Sequence, residues 1–257
     1  IERTAEMLGF DLLLFTSTSV GGGLRRIYHN GRNRLRLADG AVLLGVEDSK
    51  SEIQALVNEG YPFVFIGRRE LENGNISYVA ADYANATAEL IARMAAAGHR
   101  RIAYIGDEQY TESLLDRRRG YREGLEASGV PVDEGLICLC PARHVESTKL
   151  QALLDRGVTA VVMETGPIAY SLLQACSELA LEIPGELSLG LLGNPFGDID
   201  SVANLSGFSI PREEMGAQAV HLLTHLLDTK TPATPQQVSL PCMPVAGNTI
   251  ASPRTHP

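Results

Sequence analysis

The chain has 257 residues, 44% of them hydrophobic, a formal net charge of −9 and an isoelectric point near 5.2. That length buries one large core or two modest ones. The acidic balance argues against direct nucleic-acid binding by these residues, because neutralising phosphates takes clustered Lys and Arg. No apolar run approaches the ~20 residues needed to cross a bilayer, and the first residues do not read as a signal peptide. Cys138, Cys140, Cys176 and Cys242 form no C-x-x-C pair and no metal spacing. They read as small core residues in a reducing compartment, which makes the cytoplasm the expected location.

The predicted elements alternate strand and helix. Residues 1–8 read as helix up to Gly9, and 11–16 as a strand running into a loop. A strand at 41–45 follows Asp39-Gly40, a helix at 51–58 closes at Gly60, and 62–67 is a further strand. Asp82 is a good N-cap for an Ala-rich helix in which Leu90, Ile91 and Met94 recur at helical spacing. Gly98 suits the left-handed position after its last turn, and His99-Arg100-Arg101 lies near the negative end of the helix. Residues 102–105 are a short apolar run stopped at Gly106, the pattern of a parallel strand buried on both faces. A second series follows: helix 113–128 to Gly129, an extended 136–139, and a helix capped by Ser147 and closed by Gly157. Next come a strand at 160–163, a helix opened by Pro167, a strand at 187–192, and a helix from Pro211 to about Asp228. A last strand crosses at 238–240. The alternation predicts an α/β protein with parallel sheets, and two series predict two doubly wound, Rossmann-like halves.

The segment DYANATAELIARMAAAGHRRIAYIG at 82–106 resembles the effector-binding core of LacI/GalR-family bacterial transcription regulators, where an Asp-capped, Ala-rich helix runs into G-H-[RK]-R-I-A-x-[IL]-G. Arg36–Leu43, Pro62–Arg69, Asp116–Leu125, Ile183–Ser188 and Leu240-Pro241 with Val245 are similar to further motifs of that family, so the resemblance covers nearly the whole chain. It implies a type I periplasmic-binding-protein-like fold, with residues 1–106 plus 202–230 in one subdomain, 107–201 plus 231–257 in the other, and three chain crossings near 106–107, 201–204 and 229–232. It also implies a homodimer, a small polar effector in the cleft between the subdomains, and operator DNA read by an upstream helix-turn-helix. Ile1 falls inside the family's first core helix, so the sequence reads as a fragment without the first strand or the DNA-reading head.

In open α/β sheets ligands bind beyond the carboxyl ends of strands. Thr16, Arg68, Asp107, Glu164, Thr165 and Asn194 lie at such ends. Arg117, three residues before Gly120, matches the family arginine that reaches the ligand, a task suited to the planar five-donor fork of a guanidinium. Arg118 and Arg119 are expected on the surface. Three positions where sugar-responsive members carry acids hold Gly67, Thr165 and Gly193, leaving Glu164 and Asp107 as candidate acceptors. Arg68 and Arg117 without those acids favour an anionic ligand: a sugar acid, a phosphorylated sugar or a nucleobase derivative.

Enzyme signatures are missing. Gly21-Gly22-Gly23 lacks the spacing and the Lys of a phosphate loop, and there is no G-x-S-x-G elbow. His221 and His225 share a helix face without an accompanying acid, and read as exposed rather than as metal ligands. No cofactor is expected. The competing reading is a periplasmic solute-binding protein of an uptake system, which is built on the same fold.

Overall fold

A computed structural model describes residues 1–15, 27–45, 50–71, 75–194, 204–228 and 234–254. Thr16 and the glycines at 21–23 lie outside these residues. In chain order the helices are α1 (Glu2–Met7), α2 (Lys50–Asn58), α3 (Tyr83–Ala96), α4 (Glu112–Ala127), α5 (Ser147–Asp155), α6 (Gly166–Glu178) and α7 (Arg212–Asp228). The strands are β1 (Tyr28–His29), β2 (Arg32–Asn33), β3 (Ala41–Leu44), β4 (Phe63–Ile66), β5 (Tyr78–Ala81), β6 (Ile102–Asp107), β7 (Ile137–Cys140), β8 (Ala160–Met163), β9 (Ser188–Leu191), β10 (Ser206–Ser209), β11 (Gln237–Leu240) and β12 (Met243–Val245).

The chain divides into two compact units, Ile1–Ala81 with Pro211–Leu240 and Asp82–Ile210 with Pro241–Pro257. The first holds a parallel four-stranded sheet in the order β11-β5-β4-β3, against which α7 packs. Its core gathers Ile53, Leu56, Phe63, Phe65 and Ile76. The second holds a six-stranded sheet in the order β12-β10-β9-β8-β6-β7, parallel except for β12. Every residue of β6, β8 and β9 is buried, as the continuous apolar runs in the sequence require.

The division differs from the expected one. Residues 82–106 belong to the second unit because β6 pairs with β7 and β8, and because α3 lies against α4. The α3–α4 approach is close: a Cβ on Gly120 would sit 2.1 Å from the Ala84 carbonyl oxygen. Strand β11, expected in the second half, pairs with β5 in the first. The three crossings therefore fall at Ala81/Asp82, Ile210/Pro211 and Leu240/Pro241.

Three local expectations also change. Residues 11–15 form no strand, and Leu14 is 79% exposed, because among the described residues no ladder partner lies beside them. Ser147 is not a cap but the first residue of α5; Glu146 occupies the cap position. Two strands lie outside the sequence expectations: β10, Ser-Gly-Phe-Ser, carries little intrinsic strand preference, and β5, Tyr-Val-Ala-Ala, carries it only in its first two residues, so their neighbours in the sheets decide them.

Gly98 has the expected positive φ of 107° and ends α3, yet His99 is not a solvated dipole partner. It is 1% exposed, with Nδ1 2.8 Å from Thr159 Oγ1 and Nε2 2.8 Å from the Ala251 carbonyl oxygen. A carbonyl only accepts, so Nε2 carries the proton and Nδ1 accepts from Thr159. This pair of bonds pins the C-terminal stretch to the base of the second sheet. All four cysteines are free, three of them buried and Cys138 half-buried. Among the described residues no helix is long and apolar enough to cross a membrane.

Candidate functional site

The carboxyl ends of three neighbouring parallel strands, β6, β8 and β9, gather Asp107, Glu164, Thr165 and residues 192–194 in the second unit. Helix α4 supplies two arginines to this corner. Its buried face runs through Leu114, Arg117, Arg118, Tyr121 and Leu125, spaced three, one, three and four apart as a 3.6-residue period demands. Arg117 and Arg118 are each 6% exposed, while Arg119 turns out to solvent.

Arg117 is held on three sides. Nε donates to the Leu192 carbonyl at 2.8 Å, Nη1 donates to the Ser113 carbonyl at 2.9 Å, and the guanidinium carbon stands 3.8 Å above the Tyr83 ring. Nη2 faces Gly193, where a Cβ would begin 3.7 Å from it. A glycine at this position adds no side chain of its own beside the guanidinium, and its φ of 154° suits glycine.

Arg118 corrects the expectation of a surface residue. Its Nε lies 3.3 Å from Glu164 Oε1, and Nη2 donates to the carbonyls of Asp107 and Gln109. Glu164 also accepts from Tyr104 Oη and, at 2.6 Å, from the Asp107 amide. Burial pushes the Glu164 carboxyl up from its usual range; Tyr104, the Asp107 amide and the two arginines pull against that. Burial, followed by the Glu164 charge, raises the Tyr104 phenol well above its ordinary value. Both Glu164 oxygens are thus engaged inside the protein, so this carboxylate braces the wall instead of facing solvent.

Asp107 is similarly engaged. Oδ2 lies 2.5 Å from Arg143 Nε, and Oδ1 accepts from the Gln109 amide at 3.2 Å. Arg143 holds a left-handed φ of 58° to make this contact. Asn194 Oδ1 accepts from the Ile210 amide at 2.8 Å. Thr165 stands at the N-cap of α6 without capping it, and its buried Oγ1 meets no hydrogen-bond partner among the described residues. Arg68 belongs to the first unit, just past β4, where it pairs with Glu70. The preceding Gly67 has φ 107°, so an acid here would be strained. His221 and His225 are exposed, and no metal-holding cluster occurs among the described residues.

The arrangement therefore brings Arg117, Asp107, Glu164, Thr165 and Asn194 into one unit and Arg68 into the other. The spacing along α4 marks Arg118 as buried. Tyr83, Tyr104 and Arg143 carry no sequence signal, since their partners lie 34 to 60 positions away.

A parallel-sheet unit with polar groups converging at its strand ends is a common build of a small-molecule site. Residues 91–250 match the family model of the periplasmic binding protein-like domain. The chain belongs to that family. The HTH-type transcriptional regulator DegA of Bacillus subtilis (strain 168) is 28% identical over 224 residues, 85% of this chain and 65% of DegA. This chain thus spans about two thirds of that relative's length. A LacI-family regulatory protein from Chloroflexus aggregans superimposes with a TM-score of 0.77 at 21% identity, covering 99% of this chain and 90% of that one. A complex of the regulator CelR with cellobiose gives a TM-score of 0.70 at 25% identity, covering 82% and 65%.

Proposed function

We propose that this chain is the effector-sensing and dimerisation part of a cytoplasmic DNA-binding regulator, whose operator is read by a helix-turn-helix outside the residues given. The relatives it matches are regulators, which favours this reading over an uptake protein. The observation that carries the sensing role is Arg117: a buried guanidinium, oriented by two carbonyls and an aromatic ring, with one edge facing Gly193.

The effector is a small polar molecule that presents an oxygen acceptor to Arg117 Nη2. CelR's cellobiose supports a carbohydrate, and glycines in place of acids at 67 and 193 favour an anionic one, such as a sugar acid or sugar phosphate. Thr165 offers a buried hydroxyl that has no hydrogen-bond partner among the described residues. Asp107, Glu164 and Asn194 shape the wall. A ligand that engages both units favours their closed arrangement, shifting a population rather than undergoing chemistry.

The test is calorimetric titration of cellobiose, ribose, gluconate and glucose 6-phosphate into the protein and into Arg117→Ala. One of the anionic sugars binds, and the substitution weakens it roughly 10- to 150-fold, as loss of a charge-assisted anchor worth about 1.5–3 kcal/mol requires. Equal affinity in Arg117→Ala removes Arg117 as the anchor, and preference for neutral cellobiose overturns the anionic assignment.

A further inference from the structure

The corner that holds Arg117 is also where the chain leaves the second unit. Tyr83, the ring beneath the guanidinium, is the second residue after the Ala81/Asp82 crossing. Leu192, whose carbonyl takes Arg117 Nε, is two residues before Asn194. Asn194 in turn holds the amide of Ile210, the last residue before the Ile210/Pro211 crossing. Between them, Gly193 borders both: a Cβ there would lie 3.4 Å from Ile210 Cδ1 and 3.7 Å from Arg117 Nη2. One short stretch of chain, 192–194, thereby touches Ile210 at the end of one crossing directly and reaches Tyr83, just past another, through Arg117.

We propose that Tyr83 and Asn194 are positioning residues that anchor two of the three crossings to the Arg117 corner, so that the state of this guanidinium is read directly by the segments joining the units. This deepens the effector reading and rests on it for its purpose, although the anchoring itself needs no ligand.

The physical argument is one of shared restraints. A crossing acts as a hinge over the few residues that absorb backbone rotation, and its play is set by what fixes the chain on either side. On the Asp82 side the fixing elements are the start of α3 and the ring of Tyr83. Asp82 Oδ1 accepts from the Asn85 amide at 3.1 Å, which sets the helix start but not its tilt against α4. The close packing of α4 at Gly120 and Gly124 sets that tilt, and the stacked guanidinium adds a restraint on the start of α3, because Arg117 is itself locked to the Leu192 and Ser113 carbonyls. On the Ile210 side the residue that follows is Pro211, which has no amide to donate, so the Asn194 bond to Ile210 is the last backbone amide restraint before the crossing. The phenol of Tyr83 is not needed for stacking; the ring is. At 194 the needed feature is an acceptor oxygen, which Asp also supplies.

These requirements set a test with internal controls, run without any ligand. Spin labels on Asn58→Cys in the first unit and Glu126→Cys in the second, both exposed positions, report the spread of distances between the units. Amide exchange reports the Ile210 N–H. Tyr83→Leu and Asn194→Ala should each broaden the distance distribution, whereas Tyr83→Phe and Asn194→Asp keep the parental width. The Ile210 amide should exchange about tenfold faster in Asn194→Ala and at the parental rate in Asn194→Asp. A parental width in both Tyr83→Leu and Asn194→Ala overturns the proposal, as does equal broadening in a variant and its conservative partner. If Tyr83→Leu does not fold, the Asn194 pair decides by the same criteria. An inert sugar panel leaves this anchoring test intact, and a failed anchoring test leaves Arg117 as the effector anchor, so the two readings fall separately.

Discussion

In the first unit the sheet ends on β3, whose residues are half-buried or exposed, and on β11, which alternates exposed and half-buried. Leu12, Leu13 and Leu14 of the same unit lie exposed without regular structure. In the second unit β6, β8 and β9 are buried throughout, yet the same interior holds Asp107, Arg117, Arg118 and Glu164. Among the described residues the first unit is the loosely covered one, and the unit with charges inside holds the larger apolar core. Charge burial is tolerated there because each carboxylate oxygen and nearly every guanidinium edge has a named partner. The anchor proposed for the effector gains from such surroundings. Arg117 is held in place before any ligand arrives, so binding orders little that is not already ordered.

The sharpest way to break this comparison is to remove one member of the buried pair. Arg118→Met leaves Glu164 without its counter-charge and should cost about 3–5 kcal/mol, whereas the double variant Arg118→Met/Glu164→Leu recovers much of that loss. Denaturant unfolding measures both. A single variant as mild as the double would mean that the pair is not the charge balance inferred here.

Next in size is a contrast in apolar burial. Ile105→Ala in β6 empties a fully buried position and should cost about 2–5 kcal/mol, but Leu14→Ala in the first unit should stay within about 0.5 kcal/mol. Comparable losses at the two positions would show that the exposed leucines are covered in solution.

The smallest effect is a pH dependence. Burial lowers the His99 pKa below its ordinary value of 6.5. The folded state thus holds the neutral ring while the unfolded chain takes up a proton. The stability from His99 is complete above about 6.5 and declines as pH falls from there towards the folded value. Between pH 7 and 5.5 the unfolding midpoint of the parent should drop more than that of His99→Gln; parallel curves would contradict the pinning role.

Much of the fold was legible from periodicity. The strand–helix alternation, the Gly98 termination of α3 and the buried runs at 102–105 and 160–163 follow from local chemistry alone. The unit boundary was not, because it depends on whether α3 faces α4, a contact set by Gly120 and Ala84 that no local pattern announces. The site divides in the same way. Arg117 was legible from its distance to Gly120, and Arg118 would have been from the 114–125 stripe. The duties of Asp107, Glu164 and Asn194 were not, since a polar residue at a strand end serves a ligand or a neighbour according to what folds beside it. Here Arg143, Tyr104 and Ile210 occupy them.

The most direct test of the proposed function asks whether operator binding responds to the effector. Operator affinity is measured at fixed salt with and without a saturating concentration of the sugar that binds in calorimetry. A sensor coupled by about 1–3 kcal/mol changes that affinity roughly 5- to 150-fold, and Arg117→Ala abolishes the change. Identical affinities with and without the bound sugar, or conversion of the sugar into a product, would contradict the account.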